Sequence, residues 1–240
     1  MTQPAPLLEV QGVTKRFGGL LANDHVDLTV GPAEIVGLIG PNGAGKTTLF
    51  NGLTGHTRID EGRVFFAGRE LTNAAPEEIA RAGIARTFQL VKVFREMSVL
   101  ENVVVGAFLR EATRRAARDR AFEALRMTGL AAVASSTAGE VPVALQKRIE
   151  LARALATGPR LIVLDESLSG LTPAETRDAL DVLRALRERA IALLVVEHVM
   201  EVIMTLSDRV VVLDAGRRIA SGSPAEVAQD PRVIEAYLGA

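Results

Sequence analysis

Gly40-Pro41-Asn42-Gly43-Ala44-Gly45-Lys46-Thr47 fits the pattern G-x-x-x-x-G-K-[ST], a spacing that lets backbone N–H groups wrap a run of phosphates. Glycines allow the loop to curl with its N–H groups inward, and a helix N-terminus behind it adds positive potential. In this pattern Lys46 reaches the β- and γ-phosphates and the Thr47 hydroxyl ligates Mg²⁺, with Thr48 following in the same turn. The chemistry is the binding of a nucleoside triphosphate. A second group lies at the end of Arg160-Leu161-Ile162-Val163-Leu164-Asp165-Glu166, an apolar run closed by two acids. Asp165 is suited to hold Mg²⁺, which prefers oxygen ligands, and Glu166 to polarise the water that attacks the γ-phosphate. His198 follows another apolar run, where an imidazole can donate to a γ-phosphate oxygen or position water. Gln89, Phe17, His25 and His56 receive no role from pattern alone.

These groups need elements that bring them to one edge. Four runs, Ile35–Ile39, Leu161–Leu164, Ile191–Val196 and Val210–Leu213, are continuously apolar, as in strands of a parallel sheet covered on both faces. Helical periods lie between them; in Pro173–Ala190, Leu180, Leu183 and Leu186 recur at threes opposite Arg and Glu. Ligands of such sheets sit beyond the carboxyl ends of strands, where both the glycine-rich loop and Asp165 fall. Leu8–Val30 and Gly62–Leu71 read as hairpin strands forming an antiparallel edge. Met97 to Ala156 reads as helices, including an arginine-rich Arg110–Leu125 with a solvated face. Phe108, Leu109, Phe122, Leu125 and Met127 are expected to supply its packing side.

At 240 residues the chain suits one α/β domain, or a core with a smaller lobe. The sequence has no cysteine, which excludes disulfides and thiol chemistry, and a net charge of −1, which gives no general grip on nucleic acid. Four per cent aromatic content without Trp disfavours stacking on single strands. The start MTQPAPLLEV lacks the features of a signal peptide, and the run Ala190 to Val196 is far short of the ~20 residues of a membrane helix. The expectation is a chain soluble by itself, whose membrane role would need a partner.

Taken in order, the aromatic Phe17, the phosphate loop, Arg86-Thr87-Phe88-Gln89, the helical segment, LDE and Glu197-His198 resemble the ATP-binding subunit of an ABC transporter. FGGLLA (Phe17–Ala22), VFREMSVLENV (Val93–Val103) and the tail Ile219–Gly239 are most similar to subunits of importers for branched-chain amino acids and related amides. The resemblance implies an α/β fold: a P-loop NTPase core with a mainly parallel sheet, an antiparallel β edge subdomain and an inserted helical subdomain. It divides one cassette of residues 1–240 into a nucleotide-binding core at about 1–90 and 158–240 and a helical part at about 91–157. It implies ATP and Mg²⁺ as cofactors, adenine stacking on Phe17, Gln89 sensing Mg²⁺ and the γ-phosphate, and His198 contacting that phosphate. It further implies two membrane permease subunits, a periplasmic solute-binding protein acting indirectly, and a peripheral place on the cytoplasmic face of the inner membrane. Two cassettes of such a family meet head to tail, each nucleotide lying between one P-loop and the other subunit's signature, typically LSGGQ or LPYGQ.

Here that signature reads Val141-Pro142-Val143-Ala144-Leu145 before a well-matched QKRIELARAL. Pro142 brings neither hydroxyl nor backbone N–H, Ala144 adds a Cβ where the family has Gly, and Leu145 replaces Gln. A helix N-terminus remains, at a position proline tolerates. Ser167 and Thr172 also depart from the family's usual Pro and Asp or Asn. The expectation is an intact nucleotide site that needs a partner's signature, and hence a heterodimer with a related cassette. Two other readings remain open at this level: a nucleotide-gated cassette with weak hydrolysis, and an importer cassette for another cargo such as urea or amides.

Overall fold

The computed structural model describes residues 5–87, 91–197 and 199–238. β1 (Leu8–Phe17) and β2 (Leu20–Val30) form an antiparallel hairpin, and β3 (Ile35–Ile39) runs into α1 (Lys46–Leu53). β4 (Glu61–Phe66) pairs with β1 and with the short β5 (Arg69–Glu70), giving a sheet of order β2-β1-β4-β5. α2 (Pro76–Ala82) and β6 (Ile84–Arg86) lead to a helical layer of α3 (Val99–Ala107), α4 (Arg114–Met127) and α5 (Val143–Ala156). β7 (Leu161–Asp165), α6 (Pro173–Glu188), β8 (Ala192–Val196), α7 (Met200–Leu206), β9 (Arg209–Asp214) and β10 (Arg217–Gly222) follow, before the closing helices α8 (Pro224–Gln229) and α9 (Pro231–Leu238).

The second sheet has the order β10-β9-β3-β8-β7-β6. Its strands are parallel except for β10, which turns back antiparallel on β9. The continuous apolar runs follow from this position, because each central strand feeds two cores in alternation. Ile35, Ile162, Leu164, Leu193, Val195 and Val212 face the cluster shared with the helical layer. Val36, Leu38, Val163, Leu194 and Val211 face the cluster shared with α1 and the antiparallel sheet. No residue of β3, β7 or β8 is exposed. Among the described residues, no helix is long and apolar enough to cross a membrane.

The helical layer departs from the sequence expectation in two ways. α4 starts at Arg114 rather than Arg110, because the Thr113 hydroxyl caps it by accepting the Ala116 N–H at 3.2 Å. Phe108 ends α3 and is 49% exposed, so it is no part of the packing side. That side consists of Ala117, Ala121, Ala124 and Leu125, with Phe122 and Met127 partly buried against the same core. Nor are all the arginines merely solvated. Arg110 Nε donates to the Thr157 carbonyl and Arg120 Nε to the Ala156 carbonyl, each at 2.8 Å, closing the end of α5 where cations are favoured.

α3 and α5 cross closely at Gly106, where an added Cβ would lie 2.3 Å from the Arg153 carbonyl oxygen. In an open helix, Gly→Ala stabilises by about 1 kcal/mol. Here the contact reverses the sign. Gly106→Ala should lower stability by about 1–3 kcal/mol in chemical denaturation, through forced separation of the two helices.

Candidate functional site

The loop 40–45 leaves β3 at its carboxyl end and enters α1 through Gly45, which has φ 95. A Cβ there would meet the Ala22 carbonyl oxygen at 2.3 Å, so only glycine fits both the turn and the neighbour. Two contacts brace the loop from outside and one from within. Asn23, fully buried on β2, donates from Nδ2 to the Gly45 carbonyl at 3.1 Å. Gly216 of the β9–β10 turn donates its N–H to the Ala44 carbonyl at 3.2 Å. Ala44 N–H in turn bonds the Pro41 carbonyl at 3.2 Å. Among the described residues no side chain caps the N-terminus of α1, so its first N–H groups remain available to an anion. Lys46 folds back, its Nζ donating to the carbonyls of Gly40 at 2.7 Å and Pro41 at 3.0 Å. Burial pushes the Lys46 pKa below the usual lysine range, against the opposing pull of Glu166 and Asp165.

A cleft of about 550 Å³ opens over this loop, lined by Asn42, Gly43, Ala44, Gly45, Lys46, Thr47, Thr48, Glu166, Ala215 and, at its far end, Phe17, Leu20, Leu21 and Ala22. Phe17 ends β1 at the hairpin turn and is 50% exposed, with the Lys15 ammonium 5.2 Å from its ring centroid. It therefore offers an exposed aromatic surface to the same cleft that Lys46 lines, carried there by the β1–β2 hairpin.

The two acids after β7 diverge. Glu166 stands at φ 50 with its N–H on the Val196 carbonyl at 2.9 Å, and it lines the cleft. Such a backbone is unfavourable for a residue with a Cβ and is held by its surroundings. Asp165 lies behind it, 3% exposed, with Oδ2 on Arg86 Nη2 at 2.7 Å. Arg86 ends β6 and also donates from Nη1 to Asn51 Oδ1 at 2.6 Å and Thr54 Oγ1 at 3.1 Å on α1. One guanidinium thus joins β6, β7 and α1.

Gln89 and His198 lie outside the described residues. Pro142, Val143, Ala144 and Leu145 begin α5, and none of them is among the residues lining the cleft. Pro142 takes the N-cap place at φ −52 and ψ 150, one residue before the helix proper, and Val143 is 60% exposed. Asn23, Arg86 and the β9–β10 turn are additions that sequence reasoning did not supply. For Arg86 the signal was a lone cation closing an apolar run. Asn23 carried no signal beyond an amide within a strand.

The donor set suits Mg²⁺ through few protein ligands. Thr47 and Asp165 offer hard oxygens, and no group of three acidic, His or Cys side chains able to hold a metal occurs among the described residues. That is the arrangement expected where phosphates and water complete the octahedron. Arg86→Met would leave the Asp165 carboxylate buried without this cation. It should cost about 3–5 kcal/mol in urea unfolding, most of it restored in the Arg86→Met/Asp165→Asn double variant.

Comparison with known proteins gives a consistent result. The chain matches the ABC transporter family over residues 23–169 and the branched-chain amino acid ATP-binding cassette transporter family over residues 217–240. It is 41% identical over 250 residues to the high-affinity branched-chain amino acid transport ATP-binding protein BraF of Pseudomonas aeruginosa, with 98% of each chain covered. LivG of Escherichia coli K12, which carries the same description, is also 41% identical with 98% of each chain covered. The crystal structure of the ADP conformation of MJ1267, an ATP-binding cassette of an ABC transporter, superimposes with a TM-score of 0.90 at 33% identity, over 99% of this chain and 100% of that one. The chain belongs to the ABC transporter ATP-binding family, within its branched-chain amino acid branch, as an ATPase cassette.

Proposed function

We propose that this chain binds MgATP in the cleft around Lys46 and couples its hydrolysis to uptake of branched-chain amino acids by a membrane complex. The observation that carries this reading is the convergence of a braced loop, Lys46 and Glu166 on one cleft that ends at an exposed aromatic ring. The β- and γ-phosphates take N–H groups of the loop and of the first turn of α1, and the Lys46 ammonium exchanges its carbonyls for phosphate oxygens. Phe17 stacks on adenine. Thr47 and Asp165 would hold Mg²⁺, which when bound neutralises charge on the phosphate oxygens. Glu166 polarises the attacking water and receives its proton, and Gln89 and His198 carry the γ-phosphate roles that the family resemblance implies. General-base assistance of this kind is typically worth 10²–10⁴-fold in rate.

The partners proposed are two permeases, a second cassette and, beyond them, a solute-binding protein, with this chain peripheral on the cytoplasmic side. A groove of about 230 Å³ between the core and the helical layer, lined by His56, Ile79, Arg86, Thr87 and Arg153, supports a permease segment docking there. The separation of Pro142–Leu145 from the cleft supports their service to the other subunit's nucleotide, and their altered chemistry favours an unlike partner. Weak hydrolysis by the chain alone is the second reading, and it rests on those same four residues.

Three measurements decide these points. Lys46→Ala should abolish tight ATP binding, whereas Glu166→Gln should keep binding and stop turnover. In cells lacking the chain, labelled leucine uptake should return with wild type and with neither variant; uptake of urea or an amide in place of leucine would change the cargo. The isolated chain should hydrolyse ATP slowly and be accelerated by a related cassette with an intact signature. Equal turnover of chain and pair would overturn the asymmetric dimer.

A further inference from the structure

We propose that Lys147 is a positioning residue for Glu166, acting through the loop that follows it. The inference rests on the assignment of Glu166 to water activation. Lys147 lies in the second turn of α5, and its Nζ donates to the Ser169 carbonyl at 2.6 Å. From the other side, the Glu197 carboxylate, itself 3% exposed, accepts the Leu168 N–H at 2.7 Å. Ser169 N–H closes the turn on the Glu166 carbonyl at 3.3 Å, and Glu166 N–H is fixed on Val196 at 2.9 Å. Four bonds therefore hold the segment 166–169 at Glu166, Leu168 and Ser169, and two of those bonds come from charged side chains remote in sequence.

This clamp has a reason to exist. Glu166 carries φ 50, a conformation its Cβ disfavours, so the segment relaxes unless its far end is tied. Leu168 supplies an apolar anchor, since it is buried in the core shared with α5 and α6. Lys147 supplies the polar one. Its ammonium faces the carboxylates of Glu197, Glu150 and Glu166, so it also offsets negative charge on either side of the loop. A charged donor on a partly buried carbonyl is among the stronger hydrogen bonds a side chain makes. Lys147 is not among the described residues that line the cleft, which separates its role from that of Lys46.

The test uses Lys147→Met and Lys147→Arg in the full chain, with Glu166→Gln alongside. Lys147→Met should lower ATP turnover about tenfold while the Kd for MgATP stays within about twofold of wild type. Amide exchange should accelerate about fivefold or more in peptides spanning 166–171 and stay unchanged in those spanning 40–48. Lys147→Arg, which keeps a cationic donor, should recover at least about half of the turnover. Wild-type turnover with wild-type exchange in Lys147→Met would overturn the proposal. So would faster exchange across the whole chain, or a loss that Lys147→Arg fails to repair. Full turnover in Glu166→Gln would instead remove the assignment of Glu166, whatever Lys147 does.

Discussion

A site for polyphosphate needs several backbone N–H groups left unpaired and pointed at one place, and a folded chain works against leaving them so. The contacts made from outside the loop keep that arrangement from closing on itself. Asn23 and Gly216 hold the loop by its carbonyls, which leaves its N–H groups free to point inward. Gly45 takes the turn that a side chain would block against Ala22. Lys46 spends its ammonium on the carbonyls of Gly40 and Pro41, so this cation of the cleft is bonded yet exchangeable. The two sheets meet at this place: β2 reaches the loop from the antiparallel sheet and the β9–β10 turn from the mixed one. The fold is arranged about the bracing of a few peptide groups.

The acids after β7 illustrate how one strand end gives two environments. Alternation along a strand would send neighbouring side chains to opposite faces. Asp165 still obeys the sheet, pairing in register with Val196, and its side chain falls into the interior beside Arg86. Glu166 has left the sheet, and its left-handed backbone turns the side chain to the cleft. A buried carboxylate needs a cation, and Arg86 meets that need while tying α1 to β6 and β7. The second carboxylate gains access to the cleft through the turn at 166. The difference between a buried, cation-paired acid and a cleft-lining acid is thus made by one residue's φ.

The parts legible in sequence were those set by local pattern. β3, β7, β8 and β9 announced themselves because burial on both faces demands unbroken apolar runs, and the glycine-rich loop because its geometry tolerates few substitutes. β10, reading Arg-Arg-Ile-Ala-Ser-Gly, was hidden because an edge strand buries only part of one face. β6 is three residues long, too short for periodicity. The start of α4 was hidden because the capping Thr113 precedes a pair of arginines that prolong the apparent helix. Arg86 and Asn23 were illegible for a different reason. Their partners lie 79 and 22 residues away, and only the folded sheet brings them together.

The signature segment poses the opposite case, where sequence shows a departure and structure shows what survives it. Pro142 occupies the N-cap, a place where its missing N–H costs no helical hydrogen bond, and the N–H groups of Leu145 and Gln146 both return to its carbonyl. The helix therefore begins cleanly despite the loss of a capping hydroxyl. Gln146 turns inward to donate to Val141, so it does not substitute for the missing Gln at 145. What reaches solvent at this helix start is Pro142 and the side chain of Val143, an apolar tip on a positive helix end. Such a tip retains attraction for phosphate through the dipole and loses the directed hydrogen bonds that a Ser hydroxyl and a Gln amide would give. These residues stand apart from the chain's own cleft, so their altered chemistry leaves the described groups around Lys46 as they are.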